Sequence, residues 1–288
     1  MTKLTLKELI QRVEDIPVLP AIVHKVMVLT EDPNSTIQDI ESVILQDQSL
    51  TARILRLANS AYYGYTRKIS TISEAVILLG FRTMRNIVLA ATMNKFLLQE
   101  VKGYGLARGE LWRHSQACAV MAWYIAKKIK MKQADKAYTA ALLEDIGKVV
   151  LSVYMEETYE EILKRIEQEE ESFLNVEQDI LGFHHGEIGA ELAKKWNLPS
   201  DLVEVIRYHH QPKDAQHNPL LTSVVHVANV LVMMMGIGLG IDGTAYPISD
   251  FALQQLGLDT VELQQIMSEV SDLFVDEDVF LTDFLREV

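Results

Sequence analysis

The apolar positions of this chain recur three or four residues apart, the repeat of one helix face, and the period-two alternation of a half-buried strand does not recur. Leu50, Ile54, Leu57, Ala58 and Ala61 lie at i, i+4, i+7, i+8 and i+11 and form one apolar stripe. Ser35 with Gln38, and Thr71 with Glu74, have the spacing of capping boxes, in which two side chains satisfy the open N–H groups of a helix start. Gly80, after Ile77, Leu78 and Leu79, predicts a helix stop, with a second helix from about residue 82 to 98. Residues 101–105 (Val-Lys-Gly-Tyr-Gly) read as a short joint. Beyond it the pattern predicts helices near 108–130, 134–152, 156–182, 186–196, 200–211 and 219–235, with Pro199 marking one boundary. An acidic segment over 247–288 supports two more, separated near Leu258 and Asp259. The expected fold is all-α, with a helical half over 1–100, a second over 105–240 and a C-terminal helical extension over 241–288.

Composition narrows the classes. The 288 residues, 49% of them apolar, can bury a full core. A formal net charge of −13 opposes long-range attraction to nucleic acid or anionic membranes, leaving room only for a local basic patch. The single cysteine, Cys118, has no partner for an internal disulfide and no cysteine cluster for zinc around it, which points to a reducing compartment. The first ten residues lack the apolar run of a signal peptide, so a cytoplasmic location is expected. Leu220 to Leu239 has the length of a membrane span. His226 and Asn229 lie inside it and Gly236, Gly238 and Gly240 break its end, so it reads as a buried core helix, with no membrane partner.

Candidate chemistry centres on Leu142–Lys148, Leu-Leu-Glu-Asp-Ile-Gly-Lys. Glu144 and Asp145 stand about 100° apart on a continuous helix, so one can chelate an ion while the other bridges to a second. Lys148 shares a face with Asp145 and either pairs with it or meets a substrate phosphate. His114 upstream and His185, His209 and His210 downstream supply imidazoles, and Asn229 lies on a helix that can bring a side-chain carbonyl to them. His24, His217 and His226 are expected to be structural and His184 to face solvent. Residues 62–68 (Tyr-Tyr-Gly-Tyr-Thr-Arg-Lys) mix aromatic and basic side chains as single-strand binders do. The acidic balance favours packed tyrosines there, and nucleic acid is not an expected partner. Arg67, Arg82 and Arg85 make a candidate protein-binding surface.

These residues carry a family resemblance. His114, then Leu143 to Lys148, then His185-Gly186-Glu187-Ile188-Gly189-Ala190, Arg207-Tyr208-His209-His210 and His226-Val227-Ala228-Asn229 resemble the HD phosphohydrolase superfamily. Leu19-Pro20, the run from Gln46 to Ser60 and Ala75-Val76-Ile77-Leu78-Leu79-Gly80 resemble its HDOD branch, the HD-related output domain, from about residue 16 to 232. The resemblance implies an N-terminal helical bundle packed on an HD-type helical core. It also implies a bacterial signalling module, usually non-catalytic, whose partners are receiver or cyclic-dinucleotide signalling components. The Gly-Tyr-Pro signature of the related HD-GYP phosphodiesterases does not follow His209-His210, and Ala245-Tyr246-Pro247 falls too late to replace it.

Two positions depart from the HD pattern: Glu144 replaces the motif histidine and Asn229 replaces the late aspartate. Together they keep the summed charge around an ion, and a carboxylate in place of an imidazole shifts preference toward Mg²⁺ or Mn²⁺, with iron held through the histidines. One or two divalent ions are expected among His114, Glu144, Asp145, His185, His209, His210 and Asn229. The leading expectation is a partner-binding signalling module with an altered metal site. The alternative is a metal-dependent phosphohydrolase acting on a nucleotide or cyclic dinucleotide, its metals polarising the phosphate and Lys148 assisting. A third is a metal-free nucleotide sensor using the same pocket.

Overall fold

The computed structural model describes residues 20–59, 67–155, 162, 164–165, 173–243 and 246–271. Every regular element among them is a helix, as the periodicity predicts, and the one β contact is a bridge between Val101 and Leu106. The described residues divide between two compact units, one within 17–96 and one from Leu97 onward.

The first unit contains α1 (Ala21–Glu31), α2 (Ile37–Ile44), α3 (Gln48–Ala58) and nearly all of α4 (Ile72–Leu97). The predicted stripe is its core: Leu50, Ile54, Leu57 and Ala58 are buried together with Val23, Val26, Ile40, Ile44 and Met84, while Ala61 lies outside the described residues. The capping box of α2 is one residue later than Ser35 and Gln38. Thr36 Oγ1 accepts from the Asp39 N–H, and the Asp39 carboxylate accepts from the Thr36 N–H at 2.8 Å. The short Asp side chain reaches back as well as the expected Gln would. At α4 the Glu74 N–H donates to Thr71 Oγ1, while the Glu74 carboxylate reaches one residue further, to the Ser70 N–H. Gly80 interrupts α4 at φ 79°, ψ 164°, a conformation open essentially only to glycine. Buried Arg53 ties α3 to α4 by donating from Nε to the Ala91 carbonyl.

The second unit begins with a 3₁₀ turn, Lys102–Tyr104, at the expected joint. It continues with α5 (Glu110–Lys128), α6 (Ala134–Leu143), α7 (Ile146–Met155), α8 (Phe173–Leu181), α9 (His185–Lys195), α10 (Ser200–Tyr208), α11 (Pro219–Met234) and α12 (Asp250–Leu256). A further helix runs from 260 to the end of the described residues at 271. α11 is buried from Leu221 to Met233 and packs against α5, α6 and α12, so the greasy run is a core helix. Ile72–Met93 is long and apolar enough to cross a membrane, but it contains the non-helical Gly80.

Two predicted helices need correction. The expected 134–152 helix is two helices, because the ladder breaks at Glu144 and Asp145. The expected 200–211 helix stops at Tyr208, leaving His209 and His210 in a turn. Most of 156–172 lies outside the described residues, as do 62–66 of the aromatic loop.

Candidate metal centre

The break after α6 is what builds the site. Glu144 keeps helical dihedrals, but its N–H reaches only the Ala141 carbonyl at 3.5 Å, and the chain restarts as α7 with the Lys148 N–H donating to the Asp145 carbonyl at 3.0 Å. Gly147 then lets α7 and α9 touch backbone to backbone: a Cβ there would lie 1.9 Å from the His185 carbonyl oxygen. That close approach carries His185, the first residue of α9, onto Asp145. α10 packs against α9 and delivers His209 and His210 from its C-terminal end.

Asp145, His185, His209 and His210 form one group, with donor atoms within 4.8 Å of one another. Asp145 Oδ1 lies 3.4 Å from His185 Nε2 and 3.6 Å from His209 Nε2. His185 Nε2 is 3.4 Å from His209 Nε2 and 3.0 Å from His210 Nε2. His185 Nδ1 donates to Glu177 Oε2 at 2.8 Å and His209 Nδ1 to the Ile206 carbonyl at 2.9 Å, so each carries its proton on Nδ1. The two Nε2 lone pairs therefore face each other and the buried Asp145 Oδ1, which has no hydrogen-bond donor. Three acceptors aimed at one point repel unless a cation lies between them. Ligand bonds of about 2.1 Å set neighbouring donors about 3.0–3.4 Å apart, close to the spacing found here, so a divalent metal fits. His210 can donate from Nε2 to His185 or serve as a further ligand. Tyr246 stacks on its ring at 3.8 Å and 15°.

The carboxyls of the motif are driven apart. Burial pushes Asp145 up, but the Lys148 ammonium more than offsets it and holds Asp145 well below the usual range. Burial, then the Asp145 charge, pushes Glu144 well above it. The expected charge exchange with Asn229 therefore keeps the site's charge only with a cation beside Glu144. Burial also lowers His209 and His210, keeping both neutral and available as ligands.

Lys148 Nζ sits 2.8 Å from Asp145 Oδ2 and 2.6 Å from Asp242 Oδ2, above the Tyr104 ring. His114 belongs to a second group with Glu144 and Cys118. Its Nδ1 donates to the Ile237 carbonyl at 3.0 Å, and its Nε2 lies 3.1 Å from Asn229 Oδ1. The residues expected to hold one or two ions thus fall into two groups, with Asp145 Oδ2 standing 3.7 Å from His114 Nε2. His226 bridges the His209 carbonyl and the Ser249 N–H. His184 is partly buried against the His185 ring instead of facing solvent, and burial pulls it down to about 3. Arg67, Arg82 and Arg85 stand elsewhere, in the first unit. Arg82 is exposed, Arg67 pairs with Glu74 at 3.4 Å and Arg85 with Glu31 at 2.9 Å.

The sequence matches the HDOD domain over residues 16–212. The chain belongs to the HDOD domain family. An uncharacterized protein of Treponema pallidum is 30% identical to this HDOD chain over 233 residues, 78% of the chain but 43% of the relative, so the chain spans less than half of that protein. The crystal structure of an HDOD domain protein of unknown function from Geobacter sulfurreducens aligns with TM-score 0.74 at 26% identity, covering 96% of this chain and 95% of that one. A protein of Shewanella amazonensis provisionally described as a phosphohydrolase aligns with TM-score 0.70 at 24% identity, covering 92% and 95%, which shows a shared fold.

Five residues of the HDOD site escape the sequence reading: Tyr104, Cys118, Glu177, Asp242 and Tyr246. Cys118 carried a usable clue, four residues after His114 and so on the same helix face. Glu177 accepts from Tyr104 Oη, the His185 N–H and His185 Nδ1, yet nothing in its local pattern marks it. Tyr246, too late in the chain to serve the Gly-Tyr-Pro signature, reaches the site through the fold.

Proposed function

We propose that this HDOD chain is a cytoplasmic signal-transduction module that works through protein partners and does not turn over a substrate, with a divalent ion at Asp145, His185, His209 and His210 as a regulatory element. The observation that carries the reading is Lys148. A hydrolytic centre needs positive charge aimed at an incoming phosphate and an open position for water. Here the ammonium is shared between Asp145 and Asp242, and Asp145, His185 and His209 are fully buried. A divalent ion supplies positive charge and Lewis acidity when bound. The residues themselves hold α9, the end of α10 and the α6–α7 turn in one register, and Tyr246 and Asp242 extend that link beyond α11. Three imidazoles and one carboxylate favour iron or manganese over magnesium. The partner surface is Arg67, Arg82 and Arg85, and the partners are receiver or cyclic-dinucleotide signalling proteins.

A metal-dependent phosphohydrolase acting on a nucleotide or cyclic dinucleotide is the second reading, favoured by the convergence of the three histidines. Elemental analysis of the chain purified without added metal, followed by a phosphodiesterase screen with Mn²⁺ and Fe²⁺, separates the two. The expected result is bound metal without turnover. Turnover that Asp145→Ala abolishes would establish the hydrolase instead. The partner surface is discarded if charge reversal at Arg67, Arg82 and Arg85 leaves partner capture unchanged.

A further inference from the structure

Residues 236–243 (Gly-Ile-Gly-Leu-Gly-Ile-Asp-Gly) follow the end of α11 in turns and bends, and Asp242 is the one charged side chain among them. Glycine lets this backbone press against its neighbours. A Cβ on Gly238 would lie 2.6 Å from the Glu110 carbonyl oxygen, and one on Gly240 2.4 Å from the Tyr104 carbonyl oxygen. The segment therefore lies as a strap across the start of α5 and the 3₁₀ turn.

Polar contacts hold it there. The Ile237 carbonyl accepts from His114 Nδ1 at 3.0 Å, the Ile241 N–H donates to the Tyr104 carbonyl at 2.9 Å, and Asp242 Oδ2 meets Lys148 Nζ at 2.6 Å. Apolar burial adds little, because Ile237 and Ile241 are only half-buried and Leu239 is exposed. A segment held by a few hydrogen bonds, with little apolar contact, opens before the core around it. Opening here strands no charge: Lys148 keeps Asp145 at 2.8 Å, and the Asp242 carboxylate passes from a buried position into water.

The side chains under the strap stand against the donors of the first group. Lys148 is nearly buried and pairs with Asp145; Tyr104 is fully buried and meets the His185 ring edge-on, centroids 6.3 Å apart and planes at 87°. Lifting the strap uncovers Lys148 and Tyr104, and with them the approach to Asp145, His185 and His209, none of which is exposed while it is down. We propose that residues 236–243 are a gate between solvent and the four-donor group, latched by Asp242 on Lys148. The admission of an ion through this gate rests on the ion-binding reading given above; the gate itself does not.

Native-state hydrogen exchange of the metal-free full chain, resolved to single amides, tests the opening. The Ile241 N–H should be at least about a hundredfold less protected than the amides of Val227 and Val230 in α11. Asp242→Asn, close in volume and uncharged, should lower Ile241 protection at least about another tenfold and leave α11 unchanged. Access to the donors is read with diethyl pyrocarbonate, which modifies neutral imidazoles, using exposed His24 and His217 as references within the same chain. In Asp242→Asn, His185 and His209 should react at least about fivefold faster than in the wild type, with His24 and His217 unchanged. Circular dichroism checks the fold, and if the variant does not fold, the wild-type exchange pattern decides. An Ile241 amide that exchanges only together with α11 overturns the gate. Equal rates for His185 and His209 in wild type and folded Asp242→Asn do the same. Added Mn²⁺ should slow the modification of His185 and His209 in the wild type. A faster reaction in Asp242→Asn without that protection supports the gate and overturns the ion-binding reading alone.

Discussion

Asp145 divides its two oxygens between opposite tasks. Oδ1 faces two imidazole lone pairs, and Oδ2 neutralises an ammonium that Asp242 also holds. The capacity of the first group to take a metal therefore depends on the histidines being aimed correctly, and Glu177 aims His185. Glu177→Gln should weaken metal binding about 10–100-fold while leaving the helical content unchanged, read by metal titration and circular dichroism. His226 gives a second prediction at this scale. Burial pulls it down to about 4, against about 6.5 in an unfolded chain. Between those values the unfolded chain binds more protons, so stability rises with pH. His226's contribution should be complete above about pH 6.5 and lost as pH falls toward 4, on the order of 3 kcal/mol in all. Denaturant unfolding of the chelated protein across that range measures it, and His226→Gln should flatten the slope.

Elements meet at this site because particular backbones come unusually close. α7 and α9 touch at Gly147, whereas the break in α4 at Gly80 is a matter of dihedral angles, with nothing within 4 Å of where a Cβ would lie. The two glycines should therefore fail differently. Gly80→Ala should cost about 1–3 kcal/mol of stability through backbone strain and leave metal binding intact. Gly147→Ala should cost at least about 2 kcal/mol by forcing α7 from α9, and should also weaken metal binding because His185 moves with α9. Chemical denaturation together with metal titration distinguishes the two. An equal effect of both substitutions on metal binding would show that Gly147 does not set the position of His185.

For the molecule as a whole, a bound ion would join the α6–α7 turn to α9 and the end of α10 within the unit that starts at Leu97. Stabilisation then follows mass action: Mn²⁺ at a hundred times its dissociation constant should add about 2.7 kcal/mol, seen as a rise in Tm that chelation reverses. His209→Ala should abolish the rise. The acidic net charge of −13 helps to attract the cation and opposes nucleic acid, but burial and pairing at the site, not net charge, decide where an ion can sit.

By itself the sequence determined the all-α class, most helix positions, the family and most of the side chains that form the two candidate metal groups. Helix periodicity and capping depend on residues three and four apart, and the family motifs are short and ordered, so both can be read along the chain. The tertiary structure alone decided the grouping of those donors. It broke the 134–152 helix at Glu144, set Lys148 on Asp145, and left His114 and Glu144 with Cys118 in place of the downstream histidines. It also brought in Glu177, Asp242 and Tyr246 from positions that carry no local mark. Those outcomes depend on which backbones can approach, as at Gly147, and on complete burial, which pushes the Glu144 carboxyl up while the Lys148 ammonium holds its neighbour Asp145 down. Neither close approach nor desolvation is a property of residues taken one after another.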